Sequence, residues 1–396
     1  MNVYVAEIAK RLAARGIEVE IFTRAVSRDT PPLAEFAPGV LVRSVVAGPF
    51  EELDKTELPA QVCPFTLEVL RAEAEAEPGK YDLVHAHYWL SGKVGAAVKE
   101  RWGVPLVQSM HTLGKVKNAS LASGDTAEPD GRIQGEHEVM AAADRLIANT
   151  SEEARQLTEL YGADPAKIRT VSPGADLSIF RPAAHGRRMA RQRLGIPQDA
   201  VVLMFAGRVQ PLKGPDIVLK TAAKLLEDDP ELKDRLQVVL VGGPSGRRDR
   251  ADPDRMRELA AALDIDRIVR FEPPCPQSEL AEWYRAATVV LAPSHSESFG
   301  LVALEAQACG TPVLAARVGG LRTAVRDGFS GVLIDDHDPQ SWARTIKNLI
   351  AQPRRLEELS EGAARHASAF GWYATVDRLT AVYTGAMEEA AARVRA

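Results

Sequence analysis

Val289-Val290-Leu291-Ala292-Pro293-Ser294-His295-Ser296-Glu297-Ser298-Phe299-Gly300-Leu301-Val302-Ala303-Leu304-Glu305 reads as a buried strand, a polar loop and the opening of a helix. Four consecutive apolar residues suit a strand covered on both faces, as in a parallel sheet. The spacing predicts a helix that opens near Ser298. The amides of Ser298, Phe299, Gly300 and Leu301 would then point outward, where the helix dipole favours an anion such as pyrophosphate. Gly300 lets a ligand approach the backbone. Glu305 falls about two turns into the helix, where a carboxylate can take the two hydroxyls of a ribose, and Glu297 stays in the loop.

The same unit repeats outward in both directions. Val201–Ala206, Gln237–Val241, Ile268–Phe271, Pro312–Ala315 and Gly331–Ile334 are further apolar runs separated by helical stretches. The first part of the chain repeats the alternation with strands at Ile17–Phe22, Val40–Val46, Leu83–Ala86, Pro105–Ser109, Leu146–Asn149 and Ile168–Val171. Alternating strands and helices imply parallel sheets with helices on both faces. The expected architecture is α/β, with two doubly wound Rossmann-like domains facing a cleft. Boundaries are expected at 1–172, 173–365 and 366–396, the last a helix returning to the first domain. A doubly wound domain usually opens with a strand and a Gly-rich turn. Here Met1 stands almost at the start of the first helix, so a gap is expected near the middle of the first sheet.

The 396 residues carry a net charge of −5 with acids and bases interspersed, which argues against a nucleic-acid partner. No apolar run approaches the roughly 20 residues of a membrane span. Met1–Glu7 lacks the basic-then-apolar order of a secretory signal. Three scattered cysteines, Cys63, Cys275 and Cys309, read as reduced thiols, and a cytoplasmic location is expected.

A second chemical segment is Ala206-Gly207-Arg208-Val209-Gln210-Pro211-Leu212-Lys213-Gly214, again between a strand and a helix. Its glycine spacing is not that of a P-loop. Arg208 and Lys213 are placed to neutralise a departing diphosphate, the task a divalent metal performs elsewhere. His111 follows a strand end, where open α/β sheets bind ligands. His85 and His87 share one strand face, with no third metal ligand in sight. The Asp-x-Asp pairs 252/254, 264/266 and 336/338 read as solvated turns, so no cofactor is required for the chemistry.

Gly207-Arg208 with Lys213-Gly214, then Glu297 and Glu305 with seven residues between them, resemble the signature of the large retaining GT-B glycosyltransferase family 4. The likeness runs over essentially the whole chain. Glu57-Leu58-Pro59, His85–Gly92, His111-Thr112-Leu113, Val171–Asp176 and Gly242-Gly243-Pro244-Ser245-Gly246 narrow it to a branch acting on an inositol phosphate. The resemblance implies transfer of N-acetylglucosamine from UDP-N-acetylglucosamine to 1D-myo-inositol 3-phosphate, the first step of mycothiol synthesis, by a homodimer. It implies an acceptor site of Asn2, Lys55, Tyr88, Thr112 and Arg132, with His111 and Glu297 beside the donor sugar and Glu305 on the ribose. Cys275 stands where the family lines the uracil pocket through its backbone. A structural Mg²⁺ held by Tyr284, Arg285, Ala287 and Thr311 is also implied. The alternatives are a family-4 transferase with a sucrose-phosphate-like product, a non-catalytic sugar-binding protein, or a shortened, inactive homologue. Two cations and two hydroxyls converging from separate loops suit a phosphate monoester.

Overall fold

A computed structural model describes residues 1–77, 79–121, 126–243 and 253–395. The described residues fall into two compact units. One comprises Met1–Ala119, Glu128–Ser172 and Trp372–Ala396, and the other is built on Pro173–Gly371. Each has the α/β, doubly wound character expected.

In the second unit the strands are Val201–Ala206, Leu236–Val241, Val269–Glu272, Val289–Ala292, Val313–Ala316 and Gly331–Ile334. They are β8 to β13 in chain order, following the seven strands of the other unit. Among the described residues they form one parallel sheet ordered β10-β9-β8-β11-β12-β13. The period-2 alternation of a strand splits β8 between two cores. Val202, Met204 and Ala206 face a layer containing Tyr284, Ala303 and Leu321. Val201, Leu203 and Phe205 face Ile217, Leu225, Trp342 and Ile346. Both faces are covered, which is why the runs are continuously apolar.

The first unit contributes β1 (Val19–Arg24), β2 (Leu33–Ala37), β3 (Val40–Val45), β4 (Val84–His87), β5 (Leu106–Ser109), β6 (Arg145–Ala148) and β7 (Ile168–Thr170). These make two sheets among the described residues, ordered β1-β3-β2 and β4-β5-β6-β7. The break expected in the first sheet is therefore present, with β1 and β4 as edges. β5 and β6 are buried throughout, whereas β1 and β4 are mostly half-buried. Side chains join them in place of a ladder: Tyr81 Oη and Lys80 Nζ each donate to Glu20 Oε2 at 2.8 Å. One strand was not anticipated: β2 runs antiparallel to β3 at the sheet's edge, and Leu33-Ala34-Glu35-Phe36-Ala37 gives no parallel-strand signal.

The last helix, Trp372–Arg395, belongs to this first unit. Its Asp377 pairs with Arg15 at 2.5 Å, Tyr383 Oη lies 2.6 Å from His85 Nδ1, and Arg393 reaches Asp144 at 2.7 Å. The basic stretch before β8 contains a helix, Gly186–Leu194. No helix among the described residues is long and apolar enough to cross a membrane.

Candidate active site

The second unit gathers its polar loops at the carboxyl ends of β8, β9, β11 and β12. β8 runs into Gly207, and a Cβ on Gly242 would lie 1.8 Å from the Gly207 carbonyl oxygen, so the two strand ends meet backbone to backbone. Pro211–Lys213 forms a tight turn, and Gly214, at φ 66°, opens the helix Pro215–Asp228. This turn lies against the loop after β11: His295 N donates to the Leu212 carbonyl at 2.9 Å. Lys213 Nζ donates to Glu297 Oε2, so the two predicted segments form one charged pair, each side chain about one-fifth exposed. Arg208 stands exposed on the same loop.

The helix after β11 begins at Leu301, three residues later than expected. Gly300 is its cap at φ 97°, and a Cβ there would meet Leu321 Cδ2 at 2.8 Å. Ser298 and Phe299 thus precede the helix, and Phe299 is buried. Beneath this loop sits a feature the sequence reading missed, Gly319-Gly320. Gly320 N donates to the Glu297 carbonyl at 2.8 Å. A Cβ on Gly320 would come within 2.2 Å of Phe299 Cα and 2.4 Å of the Ser298 carbonyl. Both are backbone atoms that cannot step aside. Gly320→Ala is therefore expected to displace residues 297–299 and, on the donor site implied by the family resemblance, to weaken UDP binding at least about tenfold, a displacement of order 1 Å being enough for much larger losses. Calorimetric titration with UDP checks this; unchanged affinity would show that the loop does not touch the nucleotide.

Glu305 lies on the helix, and Tyr284 Oη donates to its Oε2 at 3.0 Å. Burial pushes the Glu305 carboxyl up to about 7, against the lowering effect of the Tyr284 hydroxyl. Burial, with the Glu279 and Glu272 carboxylates, raises the Cys275 thiol, which stays neutral. His295 and His337 stack with centroids 4.1 Å apart beside the loop, and His337 Nε2 lies 3.2 Å from the Ser294 carbonyl.

In the first unit three of the expected acceptor residues converge. Arg132 Nη2 donates to the Thr112 hydroxyl at 2.8 Å and to its carbonyl at 3.1 Å. The guanidinium stands 5.1 Å from the centre of the Tyr88 ring. Glu128 and Glu136 hold it from either side at 2.9 and 2.8 Å. Glu136 is in turn bonded by Gly114 N at 3.0 and 3.1 Å and by the Tyr161 hydroxyl. The spacing of four between Glu128, Arg132 and Glu136 was a legible signal for this network. Lys55 is exposed in the turn ahead of Leu58–Gln61, and Asn2 opens the first helix.

Tyr88 and His111, at φ 76° and 61°, are two of the few non-glycine residues in the left-handed region, at the ends of β4 and β5. His111 Nε2 lies 2.9 Å from His87 Nδ1, and the His85 and His87 rings are 4.1 Å apart. His85 packs against His87, and His87 in turn hydrogen-bonds His111. Burial depresses all three, with the neighbouring imidazoles adding to it for His85 and His111; His87 falls to about 3.

No group of three or more His, Cys, Asp or Glu among the described residues is arranged to hold a metal. For the backbone-oxygen site, the Tyr284 carbonyl accepts the Thr311 hydroxyl at 2.6 Å and the Ala287 amide at 3.3 Å. Arg285 is spent on the Arg181 and Ile179 carbonyls and Glu282. The Tyr284 carbonyl and the Thr311 hydroxyl of the implied Mg²⁺ site thus lie side by side. Asp264/266 and Asp336/338 lie in turns and helix caps, while Asp252 and Pro244–Gly246 fall outside the described residues.

Residues 1–174 match the family described as glycosyl transferase 4-like domain, and residues 186–366 the family described as glycosyl transferases group 1. A D-inositol 3-phosphate glycosyltransferase from Thermomonospora curvata is 64% identical over 98% of this chain and 91% of its own. One from Thermobispora bispora is 60% identical over 98% and 90%. Among solved structures, sucrose-phosphate synthase from Thermosynechococcus elongatus superposes with a TM-score of 0.87 at 29% identity, covering 97% of this chain and 92% of that one. Anabaena HepE, solved with UDP and glucose, shares the fold alone, at 21% identity and a TM-score of 0.75 over 96% and 94%. With GT-B neighbours and relatives of one name along almost its whole length, this chain is a glycosyltransferase and belongs to the D-inositol 3-phosphate glycosyltransferase family.

Proposed function

We propose that the chain transfers N-acetylglucosamine from UDP-N-acetylglucosamine to 1D-myo-inositol 3-phosphate with retention at the anomeric carbon, opening mycothiol synthesis. The observation that carries the acceptor assignment is the Tyr88–Thr112–Arg132 group, a fork-shaped cation fixed on the Thr112 hydroxyl and over the Tyr88 ring. A planar guanidinium matches a phosphate in two places at once, and in this reading the phosphate replaces Thr112 on Arg132 Nη2. In this reading Lys55 adds a second cation and Asn2 lies near the inositol.

The donor sits on residues 173–365. Glu305 takes the ribose hydroxyls, and the backbone beside Cys275 takes the uracil. Arg208, Lys213 and the amides of Ser298–Leu301 receive the diphosphate. The anomeric carbon–phosphate oxygen bond breaks as the acceptor oxygen approaches the same face. The acceptor's proton passes to the departing phosphate oxygen, so no side-chain nucleophile is needed. Positioning and charge stabilisation supply the rate enhancement. His111 and Glu297 orient the sugar. The same reading places a homodimer in the cytoplasm, which sedimentation and fractionation would check.

The test is UDP release from UDP-N-acetylglucosamine with and without 1D-myo-inositol 3-phosphate. Release that requires the inositol phosphate supports the proposal. Release only with a hexose phosphate moves the chain to the sucrose-phosphate type of product, and silence with every acceptor removes the reading.

Glu305 gives a pH signature. In the folded chain its carboxyl keeps its proton up to about 7, well above the ordinary glutamate value of 4.5. Ligand-free stability therefore falls as pH rises across that window. Ribose hydroxyls donate best to the charged form, so UDP affinity is expected to move the opposite way, strengthening between pH 6 and 8 with proton release (roughly the window of this raised carboxyl). Titrations in buffers of different ionisation enthalpy measure the proton, and Glu305→Gln is expected to abolish the dependence. A flat profile in the unaltered chain would take Glu305 off the ribose.

A further inference from the structure

We infer that the acceptor phosphate enters by displacing the Glu128 carboxylate from between Lys117 and Arg132, which makes Lys117 a further binding residue for that phosphate. This rests on the reading in which Arg132 meets the acceptor.

The Glu128 carboxylate is gripped from both sides. Lys117 Nζ donates to its Oε1, and Arg132 Nη1 stands 2.9 Å from its Oε2. Two cations on the two oxygens of one small anion mark out a space that a phosphate, with paired oxygens of its own, also fits. The frame around that space does not depend on the carboxylate. Asn118 clamps the Glu128 backbone, its Nδ2 donating to the Glu128 carbonyl at 3.1 Å and its Oδ1 accepting from the Glu128 amide at 2.7 Å. Lys117 is carried on the short helix Gly114–Asn118, whose first amide donates to Glu136. Arg132 Nε donates to the same Glu136 at 2.8 Å.

Charge decides which contact gives way. Burial would raise the Glu128 carboxyl, but Lys117 and Arg132 outweigh it and hold the group below its ordinary value, so it is charged at pH 7. Arg132 with Glu128 and Glu136 then sums to one net negative charge. That trio repels a phosphate monoester, which carries roughly −1.5 to −2 at pH 7. One carboxylate therefore has to leave. Glu136 is fully buried and accepts from Arg132 Nε, Gly114 N and the Tyr161 hydroxyl, so it stays. The Glu128 side chain is 17% exposed and can turn towards water. Its departure uncovers Arg132 Nη1, which with Nη2 completes the fork, and in the same movement it gives up the Lys117 ammonium. The phosphate then takes over both cations.

The experiment titrates the full chain with inorganic phosphate, with UDP in excess to occupy the donor site, and then measures the KM for 1D-myo-inositol 3-phosphate. Lys117→Met is expected to weaken phosphate binding about 20-fold, the scale of one hydrogen bond to a charged group, and to leave UDP affinity unchanged. Glu128→Gln is expected to do the opposite and tighten phosphate binding about fivefold, because a competing charge is gone while the amide fills the same space. A merely structural role cannot give that sign, since loosening Lys117 and Arg132 weakens binding of every anion. The acceptor KM is expected to follow phosphate affinity in both variants. Phosphate affinity that stays within about threefold in a folded Lys117→Met chain overturns the proposal. So does a Glu128→Gln chain that binds phosphate no better than the unaltered one, or an unaltered chain that binds none. An acceptor KM that ignores both variants assigns the site to free phosphate and overturns it as well. Should Lys117→Met not fold, the sign of the Glu128→Gln effect decides alone. If phosphate titrates as expected but the inositol phosphate elicits no UDP release, the functional reading fails while the exchange of Glu128 for phosphate is retained.

Discussion

Lys213→Ala is expected to lower the rate of UDP departure by about 10²–10³-fold, the range for losing one fixed charge-stabilising group at a reacting centre. The ammonium is paired with Glu297 on the neighbouring loop, in a setting only about one-fifth exposed, so its position is set before any ligand arrives. As the sugar leaves, negative charge grows on the terminal phosphate, and a fixed cation stabilises that charge without reorganising. Deleting it has a second effect, because Glu297 then stands unpaired beside a growing like charge. Lys213→Arg keeps the charge on a longer, planar head and is expected to recover part of the rate. Single-turnover UDP release separates this step from product dissociation. A loss smaller than fivefold would mean that Lys213 serves only to hold Glu297.

Arg132→Ala is expected to be costly twice over. The guanidinium is 4% exposed and lies between Glu128 and Glu136, the latter fully buried. Removing one partner of a buried pair leaves an uncompensated charge, at about 3 kcal/mol. The amide of Gly114 and the hydroxyl of Tyr161 remain on Glu136 and limit the loss. The corresponding fall in Tm is about 6–12 °C for a unit of this size. The acceptor KM is expected to rise by about 100-fold, since a phosphate contact through a charged fork contributes roughly 3 kcal/mol. Arg132→Lys discriminates between the two effects: it restores much of the stability but little of the acceptor binding, because an ammonium lacks the planar fork that meets a phosphate in two places. Calorimetric melting and acceptor titration read them separately. Acceptor kinetics unchanged in a folded Arg132→Ala protein would remove Arg132 from the acceptor site.

The parts of this molecule legible in sequence are those governed by local periodicity. Val201–Ala206 and Val289–Ala292 are buried on both faces, so their apolar runs pointed to a parallel sheet and to loops at its carboxyl edge. The pairing of Lys213 with Glu297 was half legible, because both segments were singled out but their contact spans 84 residues. The start of the helix at Leu301 was misjudged because the left-handed backbone of Gly300 is stabilised by packing under Leu321, which no local pattern reveals. Gly319-Gly320 escaped for the same reason: its role is the close approach of two backbones. β2 was missed because an exposed, antiparallel edge strand carries little apolar signal. The row from Tyr383 to His111 joins residues far apart in the chain and becomes visible only when the sheet and the last helix are in place.

The membership of Trp372–Arg395 in the first unit bears on the order in which the chain can mature as it is made. The second unit is built on a continuous run of residues, Pro173–Gly371, and can close its two cores once that run has emerged. The first unit cannot: Tyr4 lacks Trp372, His85 lacks Tyr383 and Asp144 lacks Arg393 until the final helix is synthesised. The usual rule that amino-terminal domains finish first during synthesis is therefore inverted here. The half that begins the chain spends the translation of some two hundred intervening residues incomplete, with contacts whose sequence separation makes them slow to form. That interval is when a nascent chain of this design is most exposed to misassembly, and when a chaperone has most to offer it.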